Sequence, residues 1–118
     1  MRIATWNVNS VRTRAERIAA FLEREDVDVL AMQETKTADS KFPYATFEAA
    51  GYQVAHVGVS QWNGVAIASR VGLDNVRNSF ERQPAFAKKG APSVEARAVG
   101  AVCGGVDVWS LYVPNGRE

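Results

Sequence analysis

Three stretches near the N-terminus leave few folds open. Arg2 to Trp6 is a short β-prone run, and Asn7-Val8-Asn9-Ser10 is the polar loop after it. Next, Thr13-Arg14-Ala15-Glu16 fits a capping box, with Thr13 at the N-cap and Glu16 reaching back from N3. Ala15, Ile18, Ala19 and Leu22 then recur at i, i+3, i+4 and i+7, while Arg17, Glu23, Arg24 and Glu25 lie off that face. The spacing predicts a helix packed on a sheet. Val27 to Gln33 follows, an unbroken apolar run rich in Val, Leu and Met that reads as a strand buried on both faces. Strand, helix and strand make a βαβ unit, whose crossover forces the two strands parallel and right-handed.

Parallel strands end on the same edge. Asn7 and Asn9 after the first strand, and Glu34 after the second, are therefore predicted to face one crevice. In open α/β sheets ligands gather outside the carboxyl ends of strands. A carboxylate there can hold a hard cation, although a solvated glutamate opening a loop fits the same local pattern.

Further along, Pro43 could open a short helix through Phe47 and Ala50, with Gly51 as its C′ residue. Tyr52 to Val57 and Gly64 to Ser69 read as strands, joined by a turn, Gly58 to Asn63, that carries Trp62. Val71 to Gly90, punctuated by Gly72, Pro84 and Gly90, is predicted to be mostly loop. Arg97 to Cys103 and Val106 to Val113 are strand-like runs separated by Gly104-Gly105, a two-residue hairpin signal.

Length and charge bound the rest. A chain of 118 residues makes one domain at most and buries roughly two-thirds of its unfolded surface. With 14 basic and 13 acidic residues, the net charge of +1 does not by itself demand nucleic acid, so local clustering has to be examined. Arg12, Arg14 and Arg17 cluster at a helix start, where the dipole prefers acids; phosphate would explain them, and a solvated basic face is the competing explanation. The single Cys103 reads as a buried small hydrophobe, and a cytoplasmic location is expected from such cysteine usage. No window approaches the ~20 apolar residues of a membrane span, and no membrane partner is expected. His56, in the predicted third strand, is expected to have a structural or surface role.

The blocks Trp6-Asn7-Val8-Asn9-Ser10-Val11-Arg12, Gln33-Glu34-Thr35-Lys36, Trp62-Asn63-Gly64-Val65-Ala66, Glu95-Ala96-Arg97 and Tyr112-Val113-Pro114-Asn115-Gly116 occur in this order along the chain. In that order and spacing they resemble the N-terminal half of the exonuclease III family of apurinic/apyrimidinic endonucleases. The resemblance implies an α/β fold, half of a two-sheet β-sandwich flanked by helices, as in deoxyribonuclease I. It implies Mg²⁺-dependent (or Mn²⁺-dependent) phosphodiester hydrolysis on duplex DNA, at abasic sites and at 3′ ends. It assigns Glu34 and Asn7 to the metal site, and Tyr112 and Asn115 to catalysis. Asn9, Arg12, Thr13, Arg17, Trp62 and Arg97 fall among its DNA-contacting positions. Other branches of the superfamily, which act on phosphoinositides or phospholipid head groups, are the alternative enzymatic reading, and a non-catalytic DNA- or partner-binding half-domain is a third.

Complete members of the family continue into a second half that carries an Asp-x-Asn pair and a terminal Asp-His pair. This chain has neither, so it is expected to be inactive alone and to need that C-terminal half as its partner. One sheet without its mate is expected to expose an apolar face.

Overall fold

The computed structural model describes residues 1–59, 61–78 and 98–112. The βαβ unit is present: β1 (Ile3–Asn7) and β2 (Val29–Gln33) pair in parallel across helix α1 (Ala15–Arg24). A single 3₁₀ turn (Asp39–Lys41) and a short helix α2 (Tyr44–Ala49) precede β3 (Gln53–Val57) and β4 (Val65–Ser69). Strands β5 (Asp74–Arg77), β6 (Ala98–Cys103) and β7 (Val106–Leu111) complete the described elements.

The strands form two sheets, ordered β1-β2-β4-β3 and β5-β6-β7. Alternation along β2 explains why its sequence is apolar throughout. Leu30 and Met32 face the helices, in a core with Ile18, Leu22, Phe42 and Phe47. Val29 faces the second sheet, in a core that joins Val65 and Ile67 of β4 to Val99, Ala101 and Cys103 of β6 and Val108 of β7. Every residue of β4 is buried for the same reason.

Three expectations need correction. Thr13 does not cap α1: Arg14 occupies the N-cap without a side-chain bond, and Thr13 Oγ1 instead lies 3.4 Å from Ser10 O. The Ser10 turn has the hydroxyl within reach before the helix begins, so local geometry overrides the motif. Second, the span from Val71 to Gly90, expected to be mostly loop, carries a short strand among its described residues. β5 forms there as an irregular edge strand, held by an Arg77 side chain that pairs with Asp107 and stacks 4.9 Å over the Trp109 ring. Arg77, Gly100 and Trp109 stand in register across the three strands, and a Cβ on Gly100 would lie 2.5 Å from the Trp109 ring, so that glycine makes room for the stack. Third, the first sheet is not left bare, because β6 and β7 cover its inner face.

Elsewhere the pattern carries through. Ala15, Ile18 and Leu22 are the buried face of α1, and Gly51 closes α2 at φ +93°. Gly104 and Gly105 turn the β6–β7 hairpin with φ of +56° and +86°, the left-handed pair that a two-residue type I′ turn requires.

Candidate active site

Topology brings three chain segments to one edge of the first sheet. Asn7 is paired with Gln33 across the parallel β1–β2 ladder, and Val65, at the start of antiparallel β4, is paired with the same Gln33. The loops leaving β1 and β2 and the loop entering β4 therefore meet. They are laced together by backbone bonds past the last strand residues: Ser10 N to Glu34 O (2.8 Å), Val11 N to Thr35 O (3.0 Å), Thr35 N to Gly64 O (3.1 Å) and Lys36 N to Asn63 O (2.8 Å).

The same loops hold Asn9, Ser10, Glu34, Lys36 and Asn63 in the left-handed region, with φ between +48° and +90°. Asparagine tolerates that region, whereas a glutamate or lysine pays about 1–2 kcal/mol to be there. Such conformations persist where the surroundings over-determine them, and they cluster at ligand sites. Their effect is visible: Thr35, between two left-handed residues, is fully buried, while Glu34 and Lys36 on either side stay partly exposed. Gly64 is required beside them, since a Cβ there would lie 2.1 Å from Thr35 Oγ1.

A second tie delivers the end of β7. Buried Ser110 donates to Met32 O (2.7 Å) and accepts from Gln33 Nε2 (3.3 Å), which also reaches Thr5 Oγ1 at 3.0 Å. Tyr112, two residues beyond Ser110, packs against the core between the sheets. Gln33 belongs to the Gln33-Glu34-Thr35-Lys36 block but is given no role there, and Ser110 leaves no trace beyond a polar residue in an apolar run; the contact between them has no meaning until β2 and β7 are stacked.

Cations surround this edge. Arg12, Thr13 and Arg17 line a shallow groove of about 330 Å³ that reaches Pro43 and Thr46. Arg12 also lines an adjoining hollow of about 260 Å³ with Lys36, Lys41, Thr37 and Gln61. Lys36 and Lys41 are not among the residues expected from the sequence, although Lys36 belongs to the Gln-Glu-Thr-Lys block that carries Glu34. Lys36 Nζ donates to Asn9 Oδ1 at 2.7 Å, so Asn9 reaches the site through a lysine. Arg14 Nε lies 3.3 Å from Asn9 O, which gives one of the helix-start arginines a structural task. Trp62, in the β3–β4 loop beside Asn63, is 65% exposed.

Asn7, Asn9, Arg12, Thr13, Arg17, Glu34, Trp62 and Tyr112 thus belong to segments that converge on one edge. Arg97 and Asn115 lie outside the described residues. Among the described residues no group of three His, Cys, Asp or Glu side chains gathers as a metal cage. Of the carboxylates described, Glu16 lines the basic groove and Asp39 lies against His56, while the strand ends of β1 and β2 offer the Glu34 carboxylate with Asn7 on the neighbouring strand. That donor set fits Mg²⁺, which keeps several waters and needs only one or two protein carboxylates.

The profile of the Endonuclease/Exonuclease/phosphatase family matches residues 4–98, and the chain belongs to that family. Within it, the chain is 34% identical over 89 residues to exodeoxyribonuclease III of Haemophilus influenzae, covering 75% of this chain and 33% of that protein. Among solved structures, an AP endonuclease from Archaeoglobus fulgidus superposes with a TM-score of 0.84 at 39% identity, over 98% of this chain and 42% of that one. The 3′-5′ exonuclease NExo from Neisseria meningitidis gives 0.84 at 34% identity, over 98% of this chain and 43% of its own. A Neisseria 3′ phosphatase NExo structure bound to a product DNA hairpin gives 0.83 at 32% identity, over 98% and 42%. The chain spans about a third of the length of the curated relative and about two-fifths of each solved one.

Proposed function

We propose that this chain is the N-terminal part of a single nuclease domain that hydrolyses phosphodiesters of duplex DNA, at abasic sites and at 3′ ends, with Mg²⁺ or Mn²⁺ as cofactor. The observation that carries the reading is the edge itself, where the loop that carries the partly exposed Glu34 also carries Lys36, and Arg12, Arg17 and Lys41 line grooves along the neighbouring segments. Cations placed this way suit a polyanionic backbone, and their contribution is sequence-independent and salt-dependent.

In this reading Glu34 is the protein's ligand to the cation and the Asn7 amide supports it. A divalent ion bound there supplies Lewis acidity to the phosphate oxygens. The Tyr112 phenol donates a hydrogen bond to the phosphate, and Asn115 assists from further along the chain. Asn9, Arg12, Thr13, Arg17 and Arg97 hold the strand, and Trp62 offers an aromatic face on which a base can stack. The groups that activate the attacking water belong to sequence this chain does not carry. General-base assistance is typically worth 10²- to 10⁴-fold, so the chain alone is expected to be inactive.

A fluorescent duplex with one abasic site, offered with Mg²⁺ to the intact protein, tests the proposal. Incision beside the abasic site is expected from the intact protein and not from the 118-residue chain. No incision, with phosphate released instead from an inositol phosphate, would overturn the substrate assignment; incision by the chain alone would overturn the half-site.

A further inference from the structure

One buried titratable side chain has no part in the chemistry above. His56, on β3, has no exposed side-chain surface, and it lies between two polar groups. Its Nδ1 is 2.6 Å from Asp39 Oδ1 and its Nε2 is 2.8 Å from Thr35 Oγ1. The order carboxylate, imidazole, hydroxyl is that of a nucleophilic relay, but the hydroxyl belongs to a fully buried threonine packed against Gly64, so no substrate can reach it. What the hydroxyl can act on is its own backbone, and that backbone is the turn carrying Glu34 and Lys36.

The surroundings are built for this contact. The Phe42 ring packs on the imidazole at a centroid distance of 4.4 Å. Gly58 passes so close that a Cβ would lie 2.2 Å from Thr37 O and 2.5 Å from His56 Cε1. Asp39 and Gly58 are bonded in both directions, Asp39 N to Gly58 O and Gly58 N to Asp39 Oδ1, each at 3.0 Å. An apolar pair in place of Thr35 and His56 would fill the same volume without desolvating a polar ring. The imidazole is held instead by its 2.8 Å hydrogen bond with Thr35 Oγ1 and by a 2.6 Å contact with Asp39 that is not an aligned hydrogen bond, and polar contacts of this kind specify one geometry.

We propose that His56, anchored by Asp39, is a positioning residue: through the Thr35 hydroxyl it fixes the left-handed turn that presents Glu34 and Lys36, and it thereby sets the affinity of the edge for a divalent cation. The affinity part rests on the reading of Glu34 as a metal ligand, and the geometric part does not. Outer partners of this kind typically change metal affinity by 10- to 100-fold when removed.

The test uses the intact protein with Thr35→Val, isosteric but without the hydroxyl, and Thr35→Ser, which restores it. Two quantities are read: amide hydrogen exchange at Ser10 and Lys36, whose bonds hold the turn, against Leu30 in the core; and affinity for Mn²⁺ alone, from the loss of the free-ion spin-resonance signal. The valine variant is expected to exchange roughly tenfold faster at Ser10 and Lys36 with Leu30 unchanged, and to bind Mn²⁺ roughly 10- to 100-fold more weakly; serine returns both toward the parent. Equal acceleration at Leu30, or unchanged exchange and affinity, would overturn the proposal. If Mn²⁺ binding by the parent is absent or survives Glu34→Gln, the metal reading falls and the affinity claim with it, while the exchange pattern still decides the positioning role. Should Thr35→Val not fold, Asp39→Asn at the exposed end of the network is read by the same two measurements, with a smaller shift in the same direction expected.

Discussion

The two ends of the four-stranded sheet treat charge in opposite ways. At the end where β1 and β2 begin, Arg70 Nη2 lies 2.6 Å from Asp26 Oδ1 and Arg70 Nε lies 2.9 Å from Asp28 Oδ1. Asp28 also accepts from the Arg2 backbone amide at 2.7 Å. That amide, followed by the Arg70 guanidinium, holds the Asp28 carboxyl below the usual carboxylate range. Here Asp26 and Asp28 each face the Arg70 guanidinium, and the backbone is held by side chains. At the opposite end the loops are held by one another's backbones and by the buried Thr35 and His56, and among the described residues no hydrogen bond of the Glu34 carboxylate to them is found. A sheet end that neutralises itself is structural. One that holds left-handed backbone around a partly exposed carboxylate, with cations on the same loops, suits the cation and phosphate site proposed above.

The comparison breaks first at Glu34. In the intact protein, Glu34→Gln is expected to lower the rate of abasic-site incision by about 100-fold or more, since Lewis-acid stabilisation is worth several kcal/mol and each 1.4 kcal/mol is about tenfold. Thermal melting without metal is expected to stay near the parent's. A loss of folding that accounts for the lost rate would make Glu34 a structural residue like Asp28.

Next in size is Gly64→Ala. The new Cβ would need a φ of +95° and would meet the Thr35 hydroxyl, so roughly 2–4 kcal/mol of stability is expected to be lost in urea unfolding. A variant as stable as the parent would mean that the β4 loop is not tightly laced to Thr35.

The third prediction concerns acid. Burial lowers the His56 pKa, an effect larger than the opposing pull of Asp39. The unfolded chain therefore takes up the proton first, near pH ~6.5. The stability contributed by the neutral ring is complete above that value and is lost as pH falls through it toward the folded-state pKa. Urea midpoints measured downward from about pH 7.5 are expected to fall more steeply for the parent than for His56→Gln; equal slopes would count against a neutral buried ring.

The smallest effect is expected at the paired end. Arg70→Ala removes exposed ion pairs, which are screened by solvent and worth little. A slight drop in melting temperature, shrinking further in high salt, with incision unchanged, would sharpen the contrast between the two ends. A large effect on incision would erase it.

Much of this was legible before any coordinates. The 3.6-residue spacing of Ala15, Ile18 and Leu22 against the unbroken run from Val29 to Met32 required a helix on a doubly buried strand. The parallel crossover then required Asn7 and Glu34 to leave the sheet on one side. Gly104-Gly105 declared its hairpin, because left-handed backbone is a property of the glycines themselves. β5 was not legible: Asp74 to Arg77 has no apolar face, and what marks it as a strand is its pairing with β6 and the Arg77 contacts with Asp107 and Trp109 across Gly100. Nor was Thr13, whose capping motif is local but whose nearer partner is the Ser10 turn.

Short-range rules of periodicity, crossover handedness and turn chemistry were enough for the βαβ unit, the edge where its strands end and the family blocks that lie along it. Only the tertiary structure decided that β6 and β7 cover the sheet, that Ser110 ties β7 to Gln33, and that His56 reaches Thr35 rather than a surface. Those are contacts between residues about 20 to 80 positions apart. No local pattern encodes them, because each depends on where two separately folded elements come to rest.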